Sequence, residues 1–167
     1  MEKLRLLIAE DDALVRELYE QSLSGHAFDV EMVENGADAL KSYKKAHPEL
    51  IILDSVMPVM TGYSVLKEIR KVCNDKATQV VMVTSLSKGD DVMSLVRLGI
   101  CGYIVKPFEP DELAAKVMAY CSKVFPDRAQ EILAVHDSTI KQWREELEQK
   151  KRAAKDNPEE SPESGGE

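Results

Sequence analysis

At 167 residues the chain has room for one ordinary domain plus an appendage. Hydrophobic residues make up 44% of it and aromatic residues only 5%, so its core is mostly aliphatic. A formal net charge of −8 argues against non-specific binding to nucleic acid or anionic membranes, which needs clustered Lys and Arg, and no 18-residue apolar run is available to span a bilayer.

The chain enters an apolar strand at once, Leu4–Ala9. Neither a signal peptide nor a membrane span is expected, and the expected location is cytoplasmic. A helical pattern follows from about Ala13 to Ser24, with Leu14, Leu18 and Leu23 on its apolar side and Gly25 as its stop. Phe28–Val33 reads as a short strand. Asn35 suits an N-cap for a helix through Ala39, Leu40 and Tyr43, closed by His47-Pro48 because the residue before Pro disfavours the α region. Leu50-Ile51-Ile52-Leu53 is an uninterrupted apolar run that leads into Asp54 and a Pro-containing turn, the mark of a parallel strand buried on both faces. Gly62 precedes a helix predicted over Tyr63–Cys73. A strand at Gln79–Thr84, a helix from Gly89 to Leu98 stopped by Gly99, a strand at Cys101–Val105 and a helix from Pro110 or Asp111 to about Lys123 complete the pattern. Five strands alternating with five helices predict an α/β domain, one open five-stranded parallel sheet covered by helices on both faces.

That domain is expected to span residues 1–125. Asp127, with Gln130 three residues later, has the form of a capping box opening an added helix over 126–155. Its apolar stripe would be Leu133, His136, Ile140, Trp143 and Leu147. Such a stripe is expected to pack on a second copy of the chain to make a homodimer, on the chain's own surface, or on a target protein; the alternative is a solvated, partly frayed helix, since Lys, Arg, Glu and Gln dominate from Lys141 onward. Residues 156–167 are acidic, lack large apolar side chains, and are expected to be disordered. Cys73, Cys101 and Cys121 show no metal-ligand spacing and read as small buried packers.

The strand ends carry the chemistry. Glu10-Asp11-Asp12 follows the first strand, Asp54 the third, Thr84-Ser85 the fourth and Lys106-Pro107 the fifth. Open α/β sheets bind ligands at these edges. Glu10, Asp11 and Asp54 are oxygen donors suited to Mg²⁺, and Asp54 can act as a nucleophile toward phosphorus. Lys106 supplies positive charge and Thr84 a hydroxyl for phosphoryl oxygens. Asp12 reads better as the N-cap of the first helix than as a third acid of the site. Ser55 and Ser85 read as loop residues whose backbone amides alone face the site.

Taken together, Glu10-Asp11, Asp54-Ser55-Val56-Met57-Pro58-Val59-Met60-Thr61-Gly62, Thr84-Ser85 and Gly102-Tyr103-Ile104-Val105-Lys106-Pro107-Phe108 resemble the receiver domain of two-component response regulators, over roughly Leu4 to Lys123. The resemblance implies a doubly wound (βα)5, flavodoxin-like fold. It implies that Asp54 accepts a phosphoryl group from a sensor histidine kinase or phosphotransfer protein, with Mg²⁺ held by Asp11, Glu10, Asp54 and the backbone carbonyl of Val56. Lys106 and Thr84 would bind the phosphoryl oxygens, Tyr103 would turn inward as Thr84 moves, and the Lys106–Pro107 bond would be cis. Glu10 stands where many members have the shorter Asp. The domain would signal rather than act as a metabolic enzyme, through a downstream protein target, with no direct DNA binding and no membrane insertion.

Three other functions share parts of the pattern. A haloacid-dehalogenase-type phosphatase needs a second Asp two residues after its nucleophile, where this chain has Val56. A flavodoxin-like cofactor binder needs a Gly-rich phosphate loop after the first strand, where Glu10-Asp11 would repel phosphate. A phosphorylation-independent interaction module would not need the full set of site residues.

Overall fold

The computed structural model describes residues 2–23, 27–85 and 89–135, together with helical positions 137, 141, 145 and 149. Strands β1 (Leu4–Ala9), β2 (Phe28–Val33), β3 (Leu50–Asp54), β4 (Gln79–Thr84) and β5 (Gly102–Val105) form one parallel sheet in the order β2-β1-β3-β4-β5. Helices α1 (Ala13–Leu23), α2 (Gly36–Ala46), α3 (Gly62–Lys67), α4 (Gly89–Arg97) and α5 (Pro110–Val124) are the connections and the final cover. The strand order reverses at β1, so the crevice beyond the C-terminal ends of β1 and β3 lies where a doubly wound sheet opens to ligands.

Strand pleating divides the aliphatic core in two. Leu4, Leu6 and Ile8 of β1, Leu50 and Ile52 of β3, and Val81 and Val83 of β4 pack with Tyr19 and Leu23 of α1 and Leu113, Val117 and Cys121 of α5. The alternate residues Leu7, Ala9, Ile51, Leu53, Val80 and Met82 face α2, α3 and α4 through Ala39, Tyr43, Val65, Leu66 and Leu95. Every β3 residue is buried, as expected for a central strand with helices above and below. Each such aliphatic side chain contributes about 1.5–3 kcal/mol by leaving water.

Local signals worked as chemistry requires at several helix ends. Asn35 Oδ1 accepts from Asp38 N at 2.9 Å, and Asp12 Oδ1 accepts from Leu14 N at 2.8 Å, which makes Asp12 the cap of α1. Leu14, however, is 73% exposed; the buried face of α1 runs instead through Val15, Tyr19, Ser22 and Leu23. The helix predicted over Tyr63–Cys73 is α-helical only to Lys67 and then widens into a π-helical turn, Glu68–Val72. Cys121 is buried as expected, but Cys73 is exposed.

The π-helical turn carries Arg70, a buried arginine. Its guanidinium donates to the carbonyls of Asp75 (2.9 Å), Thr78 (2.8 Å), Leu98 (3.2 Å) and Gly99 (3.0 Å), which ties α3, the entry to β4 and the end of α4 together. Beside it, Asp75 accepts from Tyr43 Oη (2.8 Å), Thr78 Oγ1 (2.6 Å) and the amides of Ala77 (2.7 Å) and Thr78 (3.0 Å).

On the outer edge of the sheet, Tyr120 of α5 lies across β5. Its hydroxyl accepts from Tyr103 N at 3.2 Å and donates to Tyr103 O at 2.8 Å. A side chain at Gly102 would put its Cβ 2.2 Å from the Tyr120 ring, so glycine is what admits the ring there.

Beyond α5 the chain turns through 126–128 and is helical at 129–135. This segment belongs to the core. Ile132 is 1% exposed, in the cluster that holds Leu4 and Phe28, and Val135 packs against the same cluster. Arg128 donates to Glu49 Oε1 and to Glu2 O, both at 2.7 Å. The face turned inward is therefore Ile132 and Val135; Leu133, the first member of the expected stripe, is 37% exposed. His136, Ile140, Trp143 and Leu147 lie outside the described residues.

Two outcomes follow. Ile132→Ala should destabilise the fold by about 2–4 kcal/mol in urea unfolding, the loss expected for a large-to-small change at a packed site. Burial tends to raise the Asp75 carboxyl, but hydrogen bonds from Thr78, Tyr43 and Ala77 outweigh this and hold it down at about 2. A depressed folded value means the stabilisation is complete above the ordinary value of 3.8 and is lost as pH falls through about 2. Asp75→Asn should therefore show a smaller fall in melting temperature between about pH 4 and pH 2 than the wild type.

Candidate functional site

Four of the five strands deliver a side chain at or just past their C-terminal ends to the same crevice. β1 holds the sheet register one residue past its end, where Glu10 N donates to Val33 O at 3.1 Å, and this directs the Glu10 side chain inward, 1% exposed. β3 ends on Asp54, 4% exposed, and β4 on Thr84, 1% exposed. Lys106 follows β5 and is pinned by its own amide, which donates to Thr84 O at 2.8 Å. The Lys106–Pro107 peptide bond is cis, as the resemblance implied.

From that anchor the Lys106 ammonium lies 2.6 Å from Asp54 Oδ2, 2.8 Å from Glu10 Oε2 and 3.0 Å from Glu10 Oε1. Asp54 Oδ1 accepts from Val56 N at 3.1 Å, which lays the Val56 backbone beside the carboxylate. Burial raises the Glu10 carboxyl to about 7 despite the hydrogen bonds from Lys106, with the Asp54 charge adding to the rise. Burial alone would lower the Lys106 ammonium, but the bonds to Asp54 and Glu10 reverse the sign and hold it above the ordinary value. The ammonium is thus a fixed positive charge between two carboxylates.

Asp11 completes the acidic group from the solvent side. Glu10, Asp11 and Asp54 each offer a carboxylate oxygen within 4.8 Å of the others, with Asp11 exposed and the other two buried. Three carboxylates facing a common point, one of them open to water, suit a hard cation that keeps part of its hydration, which is the coordination habit of Mg²⁺.

The loop after Asp54 folds back tightly. Gly62 N donates to Ser55 O at 3.3 Å, and a Cβ at Gly62 would stand 2.0 Å from Asp54 O, so only glycine allows this return. Val59, a β-branched residue, adopts φ 67° in the same loop, an uncommon conformation for its type. The Ser55 amide does not face the site as expected: it donates to Val83 O at 2.8 Å and extends the sheet instead. Tyr103 points outward, 42% exposed, with its backbone held by Tyr120. One neighbour of the site escaped the sequence reading. Arg16 Nη1 donates to Glu10 O at 2.9 Å and Asp11 O at 2.8 Å. On a sequence it is one charged helix residue among many, with no motif to mark it.

Residues 6–118 match the response regulator receiver domain. The chain belongs to this family. It is 37% identical over 124 residues to "Probable transcriptional regulator ycf27" of Porphyridium aerugineum, an alignment that covers 74% of this chain and 50% of the relative. It is 33% identical over 136 residues to the DNA-binding response regulator MtrA of Mycobacterium leprae, covering 81% of this chain and 59% of that one. The chain thus spans about half the length of these curated relatives. Among solved structures, the chemotaxis response regulator CheY4 of Vibrio cholerae superposes with a TM-score of 0.65 at 28% identity, covering 71% of this chain and 99% of its own. The CheY of the CheX-CheY-BeF3-Mg²⁺ complex from Borrelia burgdorferi gives 0.64 at 27% identity, covering 73% and 89%.

These comparisons correct one expectation. No direct DNA binding was expected of a chain this acidic, above all from Asp127 onward, yet relatives of this receiver include a protein named as a DNA-binding response regulator. Net charge bears on the surface that carries it and does not decide what a receiver controls. Among the described residues, no helix is long and apolar enough to cross a membrane.

Proposed function

We propose that this receiver is a phosphorylation switch in which Asp54 is the phosphoacceptor, charged by a sensor histidine kinase or a phosphotransfer protein. The observation that carries the reading is the Lys106 ammonium 2.6 Å from Asp54 Oδ2, with Glu10 and Asp11 beside it. An Asp54 carboxylate oxygen attacks phosphorus, the bond from phosphorus to the donor's imidazole nitrogen breaks, and that nitrogen leaves with the bond's electrons and takes up a proton. Lys106 is placed to stay with the charge as it passes from carboxylate to phosphoryl oxygens. Glu10, Asp11, Asp54 and the Val56 carbonyl would hold Mg²⁺, which when bound neutralises the carboxylates and the incoming phosphoryl oxygens.

Thr84 and Tyr103 would carry the change outward. Thr84 ends β4 beside the site, and Tyr103 sits on the neighbouring edge strand with its ring exposed. A ligand shifts a two-state equilibrium only through contacts that differ between the states, and the Thr84 hydroxyl offers one. The surface altered would bind a protein target. The names of the relatives favour a regulator of transcription as the larger system that such a receiver serves.

Acetyl phosphate with Mg²⁺ should add one phosphoryl group to the wild type by intact mass and none to Asp54→Ala; an adduct that persists in Asp54→Ala would refute the assignment. The same measurement separates the switch from a phosphorylation-independent interaction module, which predicts no adduct on either protein. Addition of beryllofluoride should shift NMR signals of Thr84 and also of Tyr103 on the outer strand. Shifts confined to the neighbours of Asp54 would leave the phosphoacceptor assignment intact and remove the switch.

A further inference from the structure

We propose that Arg16 is a positioning residue that aims the acidic turn between β1 and α1 and so sets the affinity of the site for a divalent cation. The inference rests on the cation reading above and adds a residue to it.

Of the three acids, Glu10 and Asp54 are held by Lys106, but Asp11 is exposed and no hydrogen bond from a described residue fixes its carboxylate. Its direction is therefore set by the backbone it hangs from. That backbone lies in a gap between two regular elements. The sheet register ends with Glu10 N on Val33 O, and the hydrogen bonds of α1 begin with Arg16 N on Asp12 O at 3.0 Å. The carbonyls of Glu10 and Asp11 fall between these ladders.

Both go to one nitrogen. Arg16 Nη1 donates to Glu10 O at 2.9 Å and to Asp11 O at 2.8 Å, from the first turn of α1. The second terminal nitrogen, Nη2, donates to Glu34 Oε1 at 2.8 Å, just past the end of β2. The Arg16 side chain is 19% exposed and Glu34 71% exposed, so the pair itself adds little stability; what it does is orient the planar guanidinium. Held at both ends, that plane fixes two consecutive peptide units, and with them the bond from which the Asp11 carboxylate projects. Lysine, with a single rotating ammonium, could neutralise Glu34 or meet a carbonyl but could not hold the same plane.

Electrostatics alone predicts the opposite of positioning. Deleting Arg16 removes a positive charge near the acids, which by itself would strengthen cation binding. The double variant Arg16→Met/Glu34→Gln removes one charge of each sign, so the long-range field is nearly unchanged and the affinity reports on the turn.

The test is calorimetric titration of the full chain with Mg²⁺ alone, paired with thermal unfolding in EDTA. The double variant should bind Mg²⁺ about 10–100-fold more weakly, the effect typical of groups that orient metal ligands, with its unfolding midpoint lowered by only a few degrees. Arg16→Lys should fall between the two proteins. Binding by the double variant within about twofold of wild type would overturn the proposal, as would a weakening matched by gross loss of stability. If the double variant does not fold, Arg16→Lys decides on the same twofold criterion. A wild type that takes up no Mg²⁺ overturns the cation reading and this proposal with it, whereas a wild type that binds as well as the double variant overturns the Arg16 proposal alone.

Discussion

The ammonium of Lys106 is the contact on which the rest of this domain's arrangement depends. Two buried carboxylates, Glu10 and Asp54, converge on it, and without a cation their mutual repulsion and desolvation would oppose the folded state. The sheet exists in a form that makes this convergence possible. β1 and β3 are neighbours, which puts Glu10 next to Asp54; β4 and β5 follow on the same side, which puts Thr84 and then Lys106 within reach. The hydrogen bond from Lys106 N to Thr84 O fixes the root of the lysine, and its side chain then crosses two strand ends.

The same contact describes a site prepared to exchange one positive charge for another. Glu10 is held high by burial, and Lys106 is held charged by the two acids. A group entering beside Asp11 meets three carboxylates and a single ammonium. The far end of the sheet is built differently. Arg70 there is spent entirely on backbone carbonyls, and Asp75 on hydroxyls and amides, so neither presents charge to a ligand. The domain thus has one end fastened by satisfied polar groups and one end left with unbalanced acids.

Much of this was legible in the sequence because the strands are buried on both faces. Continuous apolar runs such as Leu50–Leu53 can be read directly, and a polar residue that ends such a run stands out. Glu10, Asp54, Thr84 and Lys106 were visible for that reason, and the structure brings them together. What escaped reading depends on contacts between distant segments. Leucine spacing placed Leu14 on the inner face of α1, but the sheet meets Val15 and Tyr19. A stripe of alternating three and four residues began at Leu133, but the core of β1 and β2 selects Ile132, one residue earlier, and Arg128 fastens that choice through Glu49. The widening of α3 into a π-helical turn was not read from its residues; the turn carries Arg70, which meets four carbonyls from two distant segments, the entry to β4 and the end of α4.

Tyr120 bears on how other molecules can use the open side of the sheet. β5 is an edge strand, and its middle residue turns its amide and carbonyl toward solvent, where a foreign chain would otherwise add as a sixth strand. The Tyr120 hydroxyl occupies that donor and acceptor together, seated over the missing side chain of Gly102. A chain arriving at this side finds the main-chain pair at Tyr103 already taken. Closing this pair from within the chain blunts the edge at Tyr103, one of the ways folded sheets keep their strands from pairing with other copies.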